Sequence, residues 1–195
     1  TPTRSVAVSA TAMAATSHPS ATLTAINILQ AGGNAMDAAI AACAVQCVVE
    51  PGSTGIGGDC FALYAPKGGA DVIAYNGSGR TPAALTVDFF EERGLTEVPR
   101  QSPSSVTVPG AIDAWTRLHA DHGRMPFSEV LAPAIALAEN GYAISPRVHR
   151  DWAKEEPLLA ADEGSARIFL PQGRAPRIGE MHRQPELAAT FRKIA

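Results

Sequence analysis

Aromatic residues are scarce in this chain, at 6% of 195 residues, and cysteine is scarcer still, with only Cys43, Cys47 and Cys60. An odd cysteine count in a chain of this length excludes a disulfide framework. Cys43 and Cys47 stand four apart in an apolar run with no flanking histidine, so they do not make a zinc site. They read as small hydrophobes, buried and inert. Charge of one sign is also lacking: 16 basic against 19 acidic residues leave a net charge of −3. No basic face for nucleic acid is implied. No apolar run reaches the roughly 20 residues of a membrane helix. The longest, residues 35–49, is expected in the core, and no membrane partner is expected. The start shows no charged-then-apolar leader. Internal repeats and low-complexity segments are missing as well.

Several catalytic signatures are absent too. Gly52, Gly55, Gly57 and Gly58 crowd one loop, but no Gly-Lys-Ser/Thr follows, and the loop comes after a helix. Phosphate and dinucleotide loops come after a strand. No Ser, His and acid constellation can be assembled. His119 and His122 are three apart on an expected helix, with no third ligand at suitable spacing. Neither a metal nor a cofactor is expected.

What is present is hydrophobic content of 46% together with 17 glycines and 15 prolines. That composition suits close-packed Ala-rich helices joined by defined turns. Residues 4–15 alternate briefly and predict a short strand. Residues 20–30 predict a helix with Leu23, Ile26 and Leu29 on its apolar side, ended by Gly32-Gly33. Asn34 is placed to cap the next helix, with Asp37 in the capping-box position. Residues 35–49 then form a helix apolar all round, hence buried on most sides. The glycine loop reads as a tight crossover into a strand. Residues 60–65 and 71–75 predict a hairpin joined by Lys67-Gly68-Gly69, and Asn76-Gly77-Ser78-Gly79 breaks its second strand. Thr86 caps a short acidic helix near residues 88–93. Residues 96–109 are irregular. Helices follow at 111–122, with Ile112, Trp115 and Leu118 on one face, at 127–139 with an interruption at Pro133, and at 146–154 and 185–194. Helices, then a hairpin, then helices suit a layered sheet-and-helix fold. The last helix stops without a C-cap, so the chain reads as cut rather than finished.

Three residues invite a chemical reading. Asp59 is the only carboxylate between Glu50 and Asp71; it either caps loop amides or lies near a site. Thr1 has the form of an N-terminal nucleophile with its own amine as base. Pro2 and a polar stretch follow it, and it reads as an incidental chain start. Arg80, in "YNGSGRTPAA", is a lone cation among small residues directly after a strand. That suits a carboxylate clamp, with a plain surface arginine as the alternative.

The phrases "AATSHPSATLTAINILQAGGNAMDAAIAACAVQCVVEPGSTGIGGDCFALY", "SSVTVPGAIDAWTRLHADHGRMPFSEVLAPAIALAENGYAIS" and "IFLPQGRAPRIGEMHRQPELAATFRKIA" resemble the large subunit of the γ-glutamyltranspeptidase family. The resemblance runs from about residue 14 to residue 195. The combination of Gly-Gly-Asn-Ala-Met-Asp-Ala-Ala, Glu-Pro, Gly-Ile-Gly-Gly and Val-Pro-Gly-Ala is highly specific. It implies an α+β fold, the four-layer αββα sandwich of the N-terminal nucleophile hydrolase type, of which residues 1–195 would supply a partial large subunit. It implies a precursor that cleaves itself. The partner is then a small subunit whose new N-terminal threonine attacks a small-molecule γ-glutamyl amide, with a possible higher homo-oligomer of that heterodimer. The nucleophile would lie outside these residues, so no catalytic residue is expected here and the piece alone should be inactive. A bacterial cytoplasm or periplasm is compatible with this reading.

One departure matters. Family members of the γ-glutamyl type carry Asp-(Gly/Phe)-Arg-Glu-x-Ala-Pro, whose arginine binds the glutamyl α-carboxylate. Here Ser78 occupies that arginine's place in Asn76-Gly77-Ser78-Gly79-Arg80-Thr81-Pro82. A shift of two in an extended segment keeps the same face, displaced by about 6–7 Å. The substrate-binding residues implied are therefore Arg80, Ser78 and Asn76. Loss of the bidentate contact would cost a donor roughly 1.5–3 kcal/mol. Oxamate or a glutaryl amide is then an alternative substrate, and a non-catalytic homologue is a third reading. Asp59 likewise stands where many relatives have another glycine.

Overall fold

The structure, a computed structural model, describes residues 6–195. In chain order these residues form α1 (Pro19–Gln30), α2 (Ala35–Val49), β1 (Cys60–Tyr64), β2 (Ile73–Gly77), α3 (Val87–Glu91), α4 (Ala111–His122), α5 (Phe127–Asn140), β3 (Tyr142–Ala143), α6 (Pro146–Lys154), α7 (Glu156–Ala160), α8 (Glu163–Phe169), β4 (Met181–His182) and α9 (Pro185–Ile194). They divide into two compact units. One joins the segment up to Thr54 with Gly123–Ala195, and the other is Gly55–His122. Helices predominate in both, and each unit has one two-stranded antiparallel ladder, which gives an α+β arrangement.

The first unit is built around α2. Its start is fixed by a capping box: the Asn34 side chain accepts the Met36 and Asp37 amides at 2.9 and 3.1 Å, and Asp37 accepts the Asn34 amide at 2.9 Å. Asp37 is fully buried and also takes the Arg124 amide at 3.0 Å. A buried carboxylate is tolerated only when so paired, and here it ties the chain entering α5 to the start of α2. Helix α2 packs on α1 and α5, and α5 packs on α9. Ala41, Ala44, Val45, Val48 and Val49 are wholly inaccessible. Ile28 of α1 and Val130 and Leu131 of α5 are buried as well, and the alanines of α2 favour close approach of these helices.

Several sequence expectations change here. Residues 6–15 are irregular rather than a strand; the first two residues of that expected strand, and Thr1, lie outside the described residues. The buried face of α1 is Ala21, Thr24, Ala25 and Ile28, while Leu23 is 60% exposed. The small residues, not the leucine, meet the Ala-rich neighbour. Cys47 is buried as expected, but Cys43 is exposed, in line with exposed Ala35 and Ala39. Spacing of four keeps these three on one side of the helix. Pro133 does not interrupt α5. Its missing N–H costs one bond, and the buried Val130, Leu131, Ala134 and Ala138 around it hold the helix together. The ladder β3–β4 and the short α7 and α8 carry too little periodicity to be expected from sequence.

In the second unit, β1 and β2 pair antiparallel from Cys60↔Gly77 to Tyr64↔Ile73. The hairpin is the expected one, but β2 continues through Asn76 and Gly77, where a break was expected. Gly77 is not a turn residue. It is a contact residue, because a Cβ there would lie 2.7 Å from the Ala114 Cβ of α4 and 2.7 Å from the Cys60 carbonyl oxygen. The Tyr64 ring stacks on His122, also on α4, at 4.6 Å. Helix α4 thus covers one face of the hairpin. On the opposite face Phe61 and Leu63 are 68% and 81% exposed. Thr86 caps α3 by accepting the Phe89 amide at 3.2 Å. Residues 96–109 are irregular, as expected, apart from one 3₁₀ turn at Pro103–Ser105. No helix of the described residues is long and apolar enough to cross a membrane.

Candidate active site segment

The residues singled out from sequence lie at the C-terminal end of β2, inside the second unit. Asn76, Ser78 and Arg80 are all exposed, and they alternate with buried Gly77 and half-buried Gly79. Extended backbone produces that alternation, and here it continues past the last paired residue. The two glycines form the packed side. A Cβ on Gly79 would fall 1.5 Å from the Val108 carbonyl oxygen, and one on Gly110 would fall 2.2 Å from the Gly77 carbonyl oxygen. No side chain fits at either place, so the strand end and residues 107–110 meet backbone to backbone.

Hydrogen bonds close the same junction. Val108 donates its amide to the Arg80 carbonyl at 2.9 Å, and Gly110 and Ala111 donate to the Gly58 carbonyl at 3.1 and 3.0 Å. Asp59 completes it: its Oδ1 accepts the Gly79 amide at 3.1 Å and the Thr107 hydroxyl at 3.0 Å. The amide that Asp59 takes is not one of its own loop, as one of its two expected roles had it, but that of Gly79, in the segment carrying Arg80. Asn76 accepts the Ser78 amide through Oδ1 at 3.0 Å, which fixes the Asn76 side chain along the chain.

These bonds hold the backbone of residues 76–80 while leaving the Arg80 head group uncommitted. Among the described residues, no ion pair or hydrogen bond involves its guanidinium. An exposed, fixed arginine with five donors can take a carboxylate bidentately. Cys60, paired with Gly77, offers no competing nucleophile: burial pushes its thiol up, against a smaller opposite effect of a hydrogen bond with Trp115. A thiol held protonated is a poor nucleophile. His119 and His122 lie on α4, and among the described residues no group of three His, Cys, Asp or Glu side chains could hold a metal ion.

Sequence reasoning missed Thr107 and Gly110 as parts of this junction. The Thr-Val-Pro-Gly-Ala run stood out as a family phrase, and its steric role became visible only when it met Gly77 and Gly79.

Comparison with known proteins agrees on one family. A family model described as Gamma-glutamyltranspeptidase matches residues 21–195. The glutathione hydrolase-like YwrD proenzyme of Bacillus subtilis is 41% identical over 86% of this chain and 32% of its own length. The oxamate amidohydrolase proenzyme of Klebsiella pneumoniae is 36% identical over 96% of this chain and 36% of its own length. Among solved structures, the gamma-glutamyltranspeptidase of Helicobacter pylori superposes with a TM-score of 0.89 at 29% identity, over 97% of this chain and 55% of that one. The chain spans about a third of the length of the two proenzymes it matches.

Proposed function

Because the chain belongs to the gamma-glutamyltranspeptidase family, we propose that it supplies part of the large subunit of an autoprocessed amidohydrolase or acyltransferase. The remainder of the large subunit and a small subunit complete it. The likeness to proenzymes supports processing into a heterodimer. The bare Phe61 and Leu63 face supports the four-layer sandwich, since an apolar sheet face of this kind is stable against a second sheet and costly in water.

In this reading the small subunit's N-terminal threonine attacks the substrate carbonyl. Its α-amine takes the hydroxyl proton and passes it to the departing amine as the C–N bond breaks. Water or an acceptor amine then attacks the threonine ester, releasing the acyl group and restoring the hydroxyl. The present chain contributes no atom to those bond changes. It contributes binding: Arg80 pairs with a carboxylate on the acyl donor and fixes the distance from that carboxylate to the scissile carbonyl. Ser78 and Asn76 border the same exposed side. The observation that carries this reading is Arg80 itself, a guanidinium with no partner among the described residues, at the end of a backbone held by hydrogen bonds.

The substrate class is a small amide whose acyl part bears a carboxylate. A γ-glutamyl amide leads, and oxamate or a glutaryl amide follows because Ser78 replaces the family arginine. The test is turnover by the complete processed protein of γ-glutamyl-p-nitroanilide, glutaryl-p-nitroanilide and oxamate. Hydrolysis of at least one is expected, and their ranking identifies the donor. A processed protein with its threonine intact that turns over none of the three would sink the reading.

A further inference from the structure

We propose that Asp59 is a positioning residue for the donor site, acting through the backbone of Gly79 on Arg80. The inference rests on the reading that Arg80 binds the donor carboxylate. Three observations carry it. One oxygen of Asp59 gathers two donors from segments distant in sequence, the Gly79 amide and the Thr107 hydroxyl. Those two segments are in direct contact, with Gly79 against Val108 and Gly110 against Gly77. The residue after Gly79 is the arginine, whose carbonyl is itself held by the Val108 amide. Asp59 therefore stands between the glycine loop and the donor-binding strand end and fixes the backbone on the N-terminal side of Arg80.

The glycines explain why an acceptor is needed. Gly79 must be glycine because no Cβ fits, and glycine has the most freedom to lose. A steric fit without a side chain leaves the peptide free to rotate unless its amide is held. Asp59 supplies that hold. It is exposed, so its effect is modest in energy, and it is felt in the aim of Arg80 rather than in folding. Its role is acceptance of hydrogen bonds, which an uncharged amide oxygen also performs.

The experiment uses the complete processed enzyme with glutaryl-p-nitroanilide, which carries the carboxylate, and butyryl-p-nitroanilide, which does not. Asp59→Ala is expected to raise KM for the glutaryl donor about three- to tenfold, with kcat and the butyryl KM nearly unchanged. Asp59→Asn keeps an acceptor oxygen and should recover most of the loss. In an Arg80→Ala background, Asp59→Ala should add almost nothing, because the two changes act on one contact. Thr107→Val, which removes one of the two donors, should give a weaker effect of the same kind. It keeps the question open to test should Asp59→Ala fail to process. The proposal is overturned if Asp59→Ala and Arg80→Ala add fully. It is overturned equally if Asp59→Asn behaves like Asp59→Ala, or if Asp59→Ala leaves the glutaryl KM unmoved. Failure of the underlying reading shows separately, as an Arg80→Ala single variant that treats both donors alike.

Discussion

Gly79→Ala puts the strand-end junction under the most direct strain. The added Cβ would sit 1.5 Å from the Val108 carbonyl oxygen, 2.6 Å from its carbon and 3.2 Å from the Thr107 hydroxyl. The first two neighbours are backbone and cannot swing away. To restore even a tight contact, residues 78–80 and 107–109 must separate by about 1.5–2 Å, which a close-packed junction does not absorb. That separation breaks the Val108-to-Arg80 and Gly79-to-Asp59 bonds, each worth about 1 kcal/mol net. Residual overpacking adds about 1–3 kcal/mol. The expected cost is therefore about 3–5 kcal/mol, among the larger effects of single substitutions. Gly57→Ala is the matched comparison: nothing lies within 4 Å of its Cβ position and its φ is not positive, so it should stay within about 0.5 kcal/mol of the parent. Urea unfolding of the complete protein measures both variants, or inactivation half-lives do so where unfolding is irreversible. Gly79→Ala also displaces Arg80, so the glutaryl KM should rise with it. A Gly79→Ala protein as stable as Gly57→Ala would refute the backbone-to-backbone junction and the site built on it.

Other outcomes follow from single residues. Arg80→Ala in the processed enzyme should raise KM for carboxylate-bearing donors roughly tenfold or more, with uncharged amides little affected, as steady-state kinetics will show. Ala41→Leu, at a fully inaccessible position of α2, should cost about 1–3 kcal/mol in the same urea assay. A thiol reagent should modify exposed Cys43 well before buried Cys47, as mass spectrometry of the labelled peptides will report. Burial holds the His182 imidazole down at about 4. Because the unfolded chain binds that proton more readily, the stability His182 contributes is complete above about pH 6.5. It is lost as pH falls toward 4, by on the order of 2 kcal/mol, and melting of His182→Phe against the parent over pH 4–7 should show the slope disappear.

The parts of this fold that were legible in sequence are those set by local chemistry. Asn34 and Asp37 announce the start of α2 because a capping box needs only neighbours in the chain. Thr86 does the same for α3, and the turn residues around Lys67 announce the hairpin. The exposed line on α2 was not legible, because a helix of alanine, valine and cysteine presents nearly equal hydrophobicity on every side. Which side stays open depends on what packs against the others. Leu23 misled for a related reason: size marks a core face only when the neighbouring helix leaves room for it.

The site divides along the same line. Arg80 could be singled out as a candidate from sequence, since a lone cation directly after a glycine-rich strand end is a local pattern. Gly77 and Gly79 were visible as residues but were read as a break, because glycine signals freedom when seen alone and close approach when seen against a partner. The partner is Thr107–Gly110, about thirty residues away, and nothing local in either segment specifies the other. Asp59 is the link that makes them one structure, since it accepts from both. A carboxylate ending a glycine loop has no role that can be read from the loop itself. Its role lies in the amide it restrains, and that amide belongs to the residue before Arg80, the cation proposed to meet the donor. If that geometry governs recognition, donor preference in this chain is set jointly by positions 59, 78 and 80. Restoring an arginine at Ser78 without changing Asp59 and Arg80 would then place two cations on one exposed side, and would not reproduce a γ-glutamyl site.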